Sequence, residues 1–221
     1  MVSFTSPLVI GASGGIGAAI AARLPNAERL SRRDSDLDIT NEASVRGAAA
    51  RLNPASFDLI FIATGVLESD GARPEKSFAE LGADAMARVF AANAIGPALV
   101  FKHFASLLPV KERSVIAFLS ARVGSIGDNR LGGWMSYRAS KAALNQIVRC
   151  ASAELKRTRP EAIALALHPG TIDTALTRKF AGGRFTATPE ECAENLLRVC
   201  AQATPEMSGR FFAYDGTEIV W

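Results

Sequence analysis

Cysteine is scarce in this 221-residue chain, and the three present (Cys150, Cys192 and Cys200) are odd in number and form no CxxC pair. With no recognisable secretory leader in the first ten residues, they point away from a disulfide framework or a cysteine-based zinc site and towards a reducing, cytoplasmic setting. No apolar run approaches the ~18 residues that cross a bilayer, so no membrane span is expected. An excess of one charge is missing too. The 25 basic residues stand against 22 acidic ones for a net charge of +3, and the arginines are scattered rather than striped, which excludes a nucleic-acid surface. Histidine is nearly absent. The two present, His103 and His168, stand singly without an evident partner and read as structural residues, and no metal site is expected. Linkers, repeats and low-complexity tracts are lacking as well, which leaves residues 1–221 as a single domain.

What the chain does have is an ample core, with 48% hydrophobic and 21% charged residues. Strand-length apolar runs alternate with stretches of helical period, the pattern of repeated βαβ units. The expected fold is α/β, a Rossmann-type doubly wound parallel sheet of about seven strands with helices on both faces. Strands are expected at 8–10, 29–31, 38–39, 58–63, 114–119, 163–167 and 209–214. Helices are expected at 16–24, 43–52 with Thr40 as N-cap, 77–104 with a join at Gly96-Pro97, 137–158 and 189–201.

Directly after the first strand comes Ile10-Gly11-Ala12-Ser13-Gly14-Gly15-Ile16-Gly17, which opens the first helix. That context suits a dinucleotide's pyrophosphate: Gly11 allows a tight turn, Gly15 a close backbone approach, Gly17 close packing of helix on strand, and the helix N-terminus attracts the anion. The spacing is GxxxGxG, and the bland alternative is a flexible turn. At the end of the second strand, where such folds read the adenosine ribose, stand Arg32 and Arg33 rather than an acid. Two guanidiniums there suit a 2′-phosphate, so NADP(H) is favoured while NAD(H) stays possible; otherwise the pair is a solvated surface feature.

Further motifs fall in order along the chain: Asp38-Ile39, Ala63-Thr64-Gly65, Asn93-Ala94-Ile95-Gly96-Pro97, Tyr137-Arg138-Ala139-Ser140-Lys141 and Pro169-Gly170-Thr171-Ile172-Asp173-Thr174. With the glycine turn, they make the chain resemble the short-chain dehydrogenase/reductase family nearly end to end, and within it a compact bacterial branch similar to C-factor and sniffer-type carbonyl reductases. The resemblance implies an NADP(H)-dependent oxidoreductase acting on a carbonyl or alcohol. Tyr137 is then the general acid or base, and Lys141, four residues on and so on the same helix face, lowers the phenol pKa and holds the cofactor ribose. Asn93 is expected to relay through water to Lys141, or else to mark a helix kink. Asp38 either meets the adenine amine or caps the following helix. Gly65 would let the cofactor approach, Pro169-Gly170 would turn the strand past the nicotinamide, the Ile172 backbone would meet the carboxamide, and Thr174 would lie near the pyrophosphate.

The family's serine after the fifth expected strand is replaced by Ala121. Ser120 is the expected substitute, on condition that the strand has ended or bulged there, with Ser125 as rival. The stretch between Thr174 and Pro189 is short and is expected to leave an open cleft. Helices at 98–108 and 137–158 resemble those of the family's dimer interface, so a homodimer is possible, although Ala142, Leu144, Ile147 and Val148 serve either an interface or the core. The alternative function is a non-catalytic NADP(H)-binding regulatory or signalling protein.

Overall fold

The computed structural model describes residues 4–68, 71 and 73–221. Six strands pair in parallel: β1 (Pro7–Ile10), β2 (Glu28–Leu30), β3 (Leu59–Ile62), β4 (Ser114–Leu119), β5 (Ala162–His168) and β6 (Arg210–Ala213), in the spatial order β2-β1-β3-β4-β5-β6. They alternate with α1 (Gly15–Arg23), α2 (Arg32–Ser35), α3 (Glu42–Leu52), α4 (Ala83–Phe90), α5 (Gly96–Phe104), α6 (Met135–Thr158) and α7 (Pro189–Gln202). Residue parity divides the core. Val9, Leu59, Phe61, Val115, Ala117, Ile163 and Leu165 pack under α1 and α7, whereas Leu8, Ile60, Ile62, Ile116, Phe118, Ala164 and Ala166 pack under α3, α5 and α6. A strand buried on both faces has no room for polar alternation, which is why these runs read as continuously apolar.

The sheet has six strands rather than seven. The segment around Asp38 and Ile39 makes no ladder, because its backbone is engaged by side chains and a loop: Asp38 N–H donates to Ser44 Oγ, Thr40 N–H to Asp38 Oδ1, and Leu37 N–H to Ser31 O. The N-cap of α3 is Asn41, whose Oδ1 accepts from the Ala43 and Ser44 amides, and not Thr40. Between α4 and α5 the helix passes through a π turn, Ala91–Ile95, centred on Asn93. The helix is unbroken through this turn into α5, and Pro97 has no N–H to return to the preceding turn, so the π turn at Asn93 lies where the proline interrupts the regular ladder. On α6, Leu144 and Val148 are core residues, while Ala142 and Ile147 are half-buried.

From β1 the chain moves outward to β2 and then returns across β1 to β3. The loops at the carboxyl ends of β1 and β3 therefore diverge and leave a crevice, the topological switch point at which open α/β sheets take ligands.

Candidate active site

The crevice is floored by the glycine turn. Gly11 has φ +88°, and a Cβ there would lie 2.9 Å from the Ala63 carbonyl oxygen. A Cβ on Gly17 would meet Gly11 O at 2.2 Å, and one on Gly15 would meet Thr174 Cγ2 at 2.7 Å. All three are thus excluded from carrying a side chain by packing alone, and Gly17 contributes from behind the crevice. The amide end of α1 has no side-chain cap and no acidic residue in its first turn, so its free N–H groups are left for an anion.

Two adjoining grooves share Gly14, Ala63, Thr64 and Gly65 and make one trough across the strand ends. The outer groove is bordered by Ser13, Arg32, Asp38 and Ile39. Arg32 is exposed at the start of α2, and Ser31 caps that turn through its Oγ. Arg33 is exposed too, but it does not border the groove, so only one of the two arginines is in place. Asp38 Oδ1 accepts from both the Thr40 amide (2.9 Å) and the Thr40 hydroxyl (2.7 Å), and these bonds, helped by the Arg32 charge, hold its carboxyl below the usual range. The inner groove is bordered by Gly15, Ile16, Ala121, Tyr137, Lys141, His168, Pro169, Gly170, Ile172 and Thr174.

Tyr137 and Lys141 lie on one face of α6, as their spacing requires, but their geometry differs from expectation. The Lys141 ammonium lies over the Tyr137 ring, 5.9 Å from its centroid, and donates to the Leu119 carbonyl at 2.8 Å. Lys141 is only 3% exposed, and burial pulls it down to about 7, while burial pushes the Tyr137 phenol up instead of down. Desolvation penalises both charged forms and outweighs the attraction of the ammonium for a phenolate.

Asn93 is fully buried behind the trough. Its Oδ1 accepts from the Val66 amide and its Nδ2 donates to the Val66 carbonyl, both at 2.8 Å, with a third bond from Nδ2 to Ser140 Oγ at 3.1 Å. Ser140 in turn donates to the Tyr137 carbonyl at 2.8 Å. The π turn therefore ties the loop after β3 to the helix that carries Tyr137 and Lys141.

The strand ends at Leu119, as the Ser120 reading required, and Ser120 borders the inner groove, but its hydroxyl is taken: its amide donates to Leu167 O at 2.8 Å and its Oγ donates to Asn145 Oδ1 at 2.6 Å. Asn145 is eight residues beyond Tyr137 on α6, and it holds the Ser120 hydroxyl in a buried side-chain hydrogen bond. Ser125 Oγ accepts from the Asp128 amide at 3.1 Å, is buried, and lies outside the groove. Ala121 itself holds the serine's place.

Beside the inner groove lies a pocket walled by Leu67, Trp134, Leu176 and Phe180, with Arg122 and Arg184 among its lining. The short segment after Thr174 supplies Leu176, Phe180 and Arg184 to its wall. Phe180 meets Trp134 edge to face at 6.0 Å between centroids, and Lys179 pairs with Glu68 at 2.7 Å. Thr186 pins the segment back through its Oγ1, which accepts from the Thr171 amide at 3.0 Å.

Two residues passed over in sequence matter here. Glu75 is buried at 6% exposure, accepts from the Ser136 hydroxyl and amide, and so seats the first turn of α6 just before Tyr137. Its partner is 61 residues away, and no local pattern announces the pairing. His168, read as structural, borders both the inner groove and the pocket.

The trough fits a dinucleotide. Thr64 Oγ1 is buried in it without a hydrogen-bond partner among the described residues, an uncapped helix end faces it, and side chains are sterically barred from its floor. When bound, the nicotinamide ring of such a cofactor supplies or accepts a hydride.

A family model described as enoyl-(acyl carrier protein) reductase matches residues 16–216. The 1-hydroxy-2-glutathionyl-2-methyl-3-butene dehydrogenase of Rhodococcus sp. (strain AD45) is 35% identical over 187 residues, covering 84% of this chain and 78% of that protein. The C-signal of Myxococcus xanthus is 39% identical over 137 residues, 62% of this chain and 78% of that one. A short-chain dehydrogenase/reductase of Burkholderia multivorans, solved with bound NADP, superposes with a TM-score of 0.83 at 27% identity, over 99% of this chain and 100% of its own. Fold, trough and likeness converge: the chain belongs to the short-chain dehydrogenase/reductase family of oxidoreductases.

Proposed function

We propose that the protein is an NADP(H)-dependent oxidoreductase that interconverts a carbonyl and an alcohol, with Tyr137 as general acid/base and Lys141 as its charged neighbour. The observation that carries this reading is the position of Tyr137, with Lys141 beside it in the inner groove, where the trough meets the pocket walled by Leu67, Trp134, Leu176 and Phe180. Burial keeps the Tyr137 proton on the phenol at neutral pH, so in the reductive direction the hydroxyl is ready to protonate a substrate oxygen. Lys141, protonated near and below pH 7, holds positive charge close to the phenolate that this transfer leaves behind. Asn93 positions both through Val66 and Ser140. Arg32, on the outer groove, supports NADP(H) through its fit to a 2′-phosphate, in keeping with the NADP bound by the Burkholderia relative. The walls of Leu67, Trp134, Leu176 and Phe180 suit a substrate with an apolar or aromatic body.

The test is oxidation of NADPH with a panel of aldehydes, ketones and quinones. Tyr137→Phe should lower kcat by roughly 10²–10⁴-fold; equal turnover by the two proteins refutes the assignment. A second reading, a non-catalytic NADP(H)-binding regulator, is favoured by Ala121 at the serine's place with Ser120 turned to Asn145. NADPH binding without turnover of any panel member selects it.

A further inference from the structure

The junction of groove and pocket contains few polar side chains. The residues bordering both cavities are Ala121, Tyr137, His168, Gly170, Leu176 and Thr177. Thr177 is already used, its hydroxyl donating to the Ile172 carbonyl and pairing with Thr174 Oγ1 at 3.1 Å. Ala121 offers nothing, and the hydroxyls of Ser120 and Ser125 are bonded elsewhere. Besides Tyr137, that leaves His168, the last residue of β5.

Its imidazole is unused. Nδ1 is sealed from solvent without a partner, and no hydrogen bond reaches Nε2 among the described residues. A buried polar atom without a partner is costly, and such groups in native proteins mark strain or a function. Because Nδ1 is shut away, Nε2 is the nitrogen left for a molecule in the cavity. Burial and the nearby Arg122 charge hold the ring's pKa down to about 4 against the opposing pull of Asp215, so it is neutral in ordinary buffers and carries one N–H. An acceptor at Nε2 selects the tautomer with the proton there.

We propose that His168 is a catalytic residue of this site: its Nε2–H donates a hydrogen bond to the substrate's carbonyl oxygen, the task left vacant by Ala121. This rests on the oxidoreductase reading above. In reduction the carbonyl carbon accepts the hydride and its electron pair, the oxygen takes the Tyr137 proton, and the His168 proton is shared but not transferred. Hydrogen-bond donors preorganised towards developing oxygen charge are each worth roughly 10²–10³-fold in turnover.

The experiment uses three variants of the full chain with NADPH and a reducible aromatic ketone. His168→Phe keeps a planar ring and removes the donor; kcat should fall about 100-fold while NADPH affinity, read from tryptophan fluorescence, stays within about twofold. His168→Gln places an amide N–H near the Nε2 position and should recover most of the loss, whereas His168→Asn, whose amide falls nearer the Nδ1 position, should not. Turnover of His168→Phe within about threefold of wild type, or an equal loss in the Phe and Gln variants, overturns the proposal. A second readout does not depend on turnover. With only two histidines in the chain, ¹⁵N spectra are assignable with a His103→Gln reference. Adding benzamide, a carbonyl acceptor that is not reduced, to the NADP⁺ complex should shift Nε2–H of His168. A proton found on Nδ1, or no shift at saturation, overturns the contact. Equal activity of wild type and Tyr137→Phe instead refutes the underlying reading, and the spectrum still decides the contact.

Discussion

Replacing Asn93 by alanine removes three hydrogen bonds at once: two to Val66 at 2.8 Å and one to Ser140 at 3.1 Å. The residue is fully buried in the π turn, so water does not take its place without opening the structure. The Val66 amide and carbonyl are the larger loss, because a buried main-chain group without a partner costs about 1–3 kcal/mol, and the side-chain void adds to that. The total is of order 3–5 kcal/mol, which for a chain of this size lowers Tm by about 6–20 °C. Asn93→Asp is the informative companion. It keeps an acceptor for the Val66 amide, loses both donors, and introduces a negative charge where Asn93 Oδ1 and Lys141 Nζ both lie within 3.4 Å of the position a Gly65 Cβ would occupy. It should therefore be destabilised yet raise the Lys141 pKa. Urea unfolding at pH 7 reads the first effect, and the pH dependence of unfolding reads the second. A loss below about 1 kcal/mol in Asn93→Ala would show that the clasp between Val66 and α6 does not hold the site together.

Three other perturbations follow from the same geometry. Gly17→Ala places a methyl 2.2 Å from the Gly11 carbonyl oxygen, so the turn must move; NADPH binding by calorimetry should be lost, and near-wild-type affinity would refute the packing argument. Arg32→Ala should weaken NADPH binding by roughly 10–100-fold, the worth of one or two charged hydrogen bonds, and leave NADH unchanged; parallel losses for both cofactors would show that Arg32 does not read the phosphate. Burial sets the folded Lys141 at about 7 against an ordinary 10.5. Between those values the unfolded chain binds the proton more tightly than the folded one, so the stability contributed by this group rises with pH across that window, and its burial cost is full below about pH 7. Lys141→Met should therefore gain most over wild type in urea midpoint near pH 6, with the advantage shrinking towards pH 10. A pH-independent difference between the two would refute the desolvated ammonium.

The strands of the sheet and the glycine turn were legible from the sequence because their causes are local. A run such as Leu59–Ile62 is apolar on both faces wherever it is buried, and Gly11, Gly15 and Gly17 mark their turn by the lack of a side chain. The strand expected at Asp38 failed for a reason that local pattern does not carry: Ser44 Oγ, the Asp38 carboxylate and the Ser31 carbonyl accept from the Asp38, Thr40 and Leu37 amides before any neighbouring strand does. Arg32 and Arg33 looked equivalent in sequence, yet the turn of α2 brings only the first to the groove.

The sequence alone therefore determined the alternation of strands and helices, the glycine turn and the pairing of Tyr137 with Lys141 on one helix face, since each follows from neighbours within about two turns of chain. The tertiary structure decided what lies between them: that Ser120 is turned to Asn145, that Asn93 clasps Val66 and Ser140, that Glu75 seats α6, and that the His168 ring is left without a partner beside the phenol. Those contacts join residues up to 61 positions apart, and burial, which raises the phenol and lowers the ammonium, is a property of the packed whole.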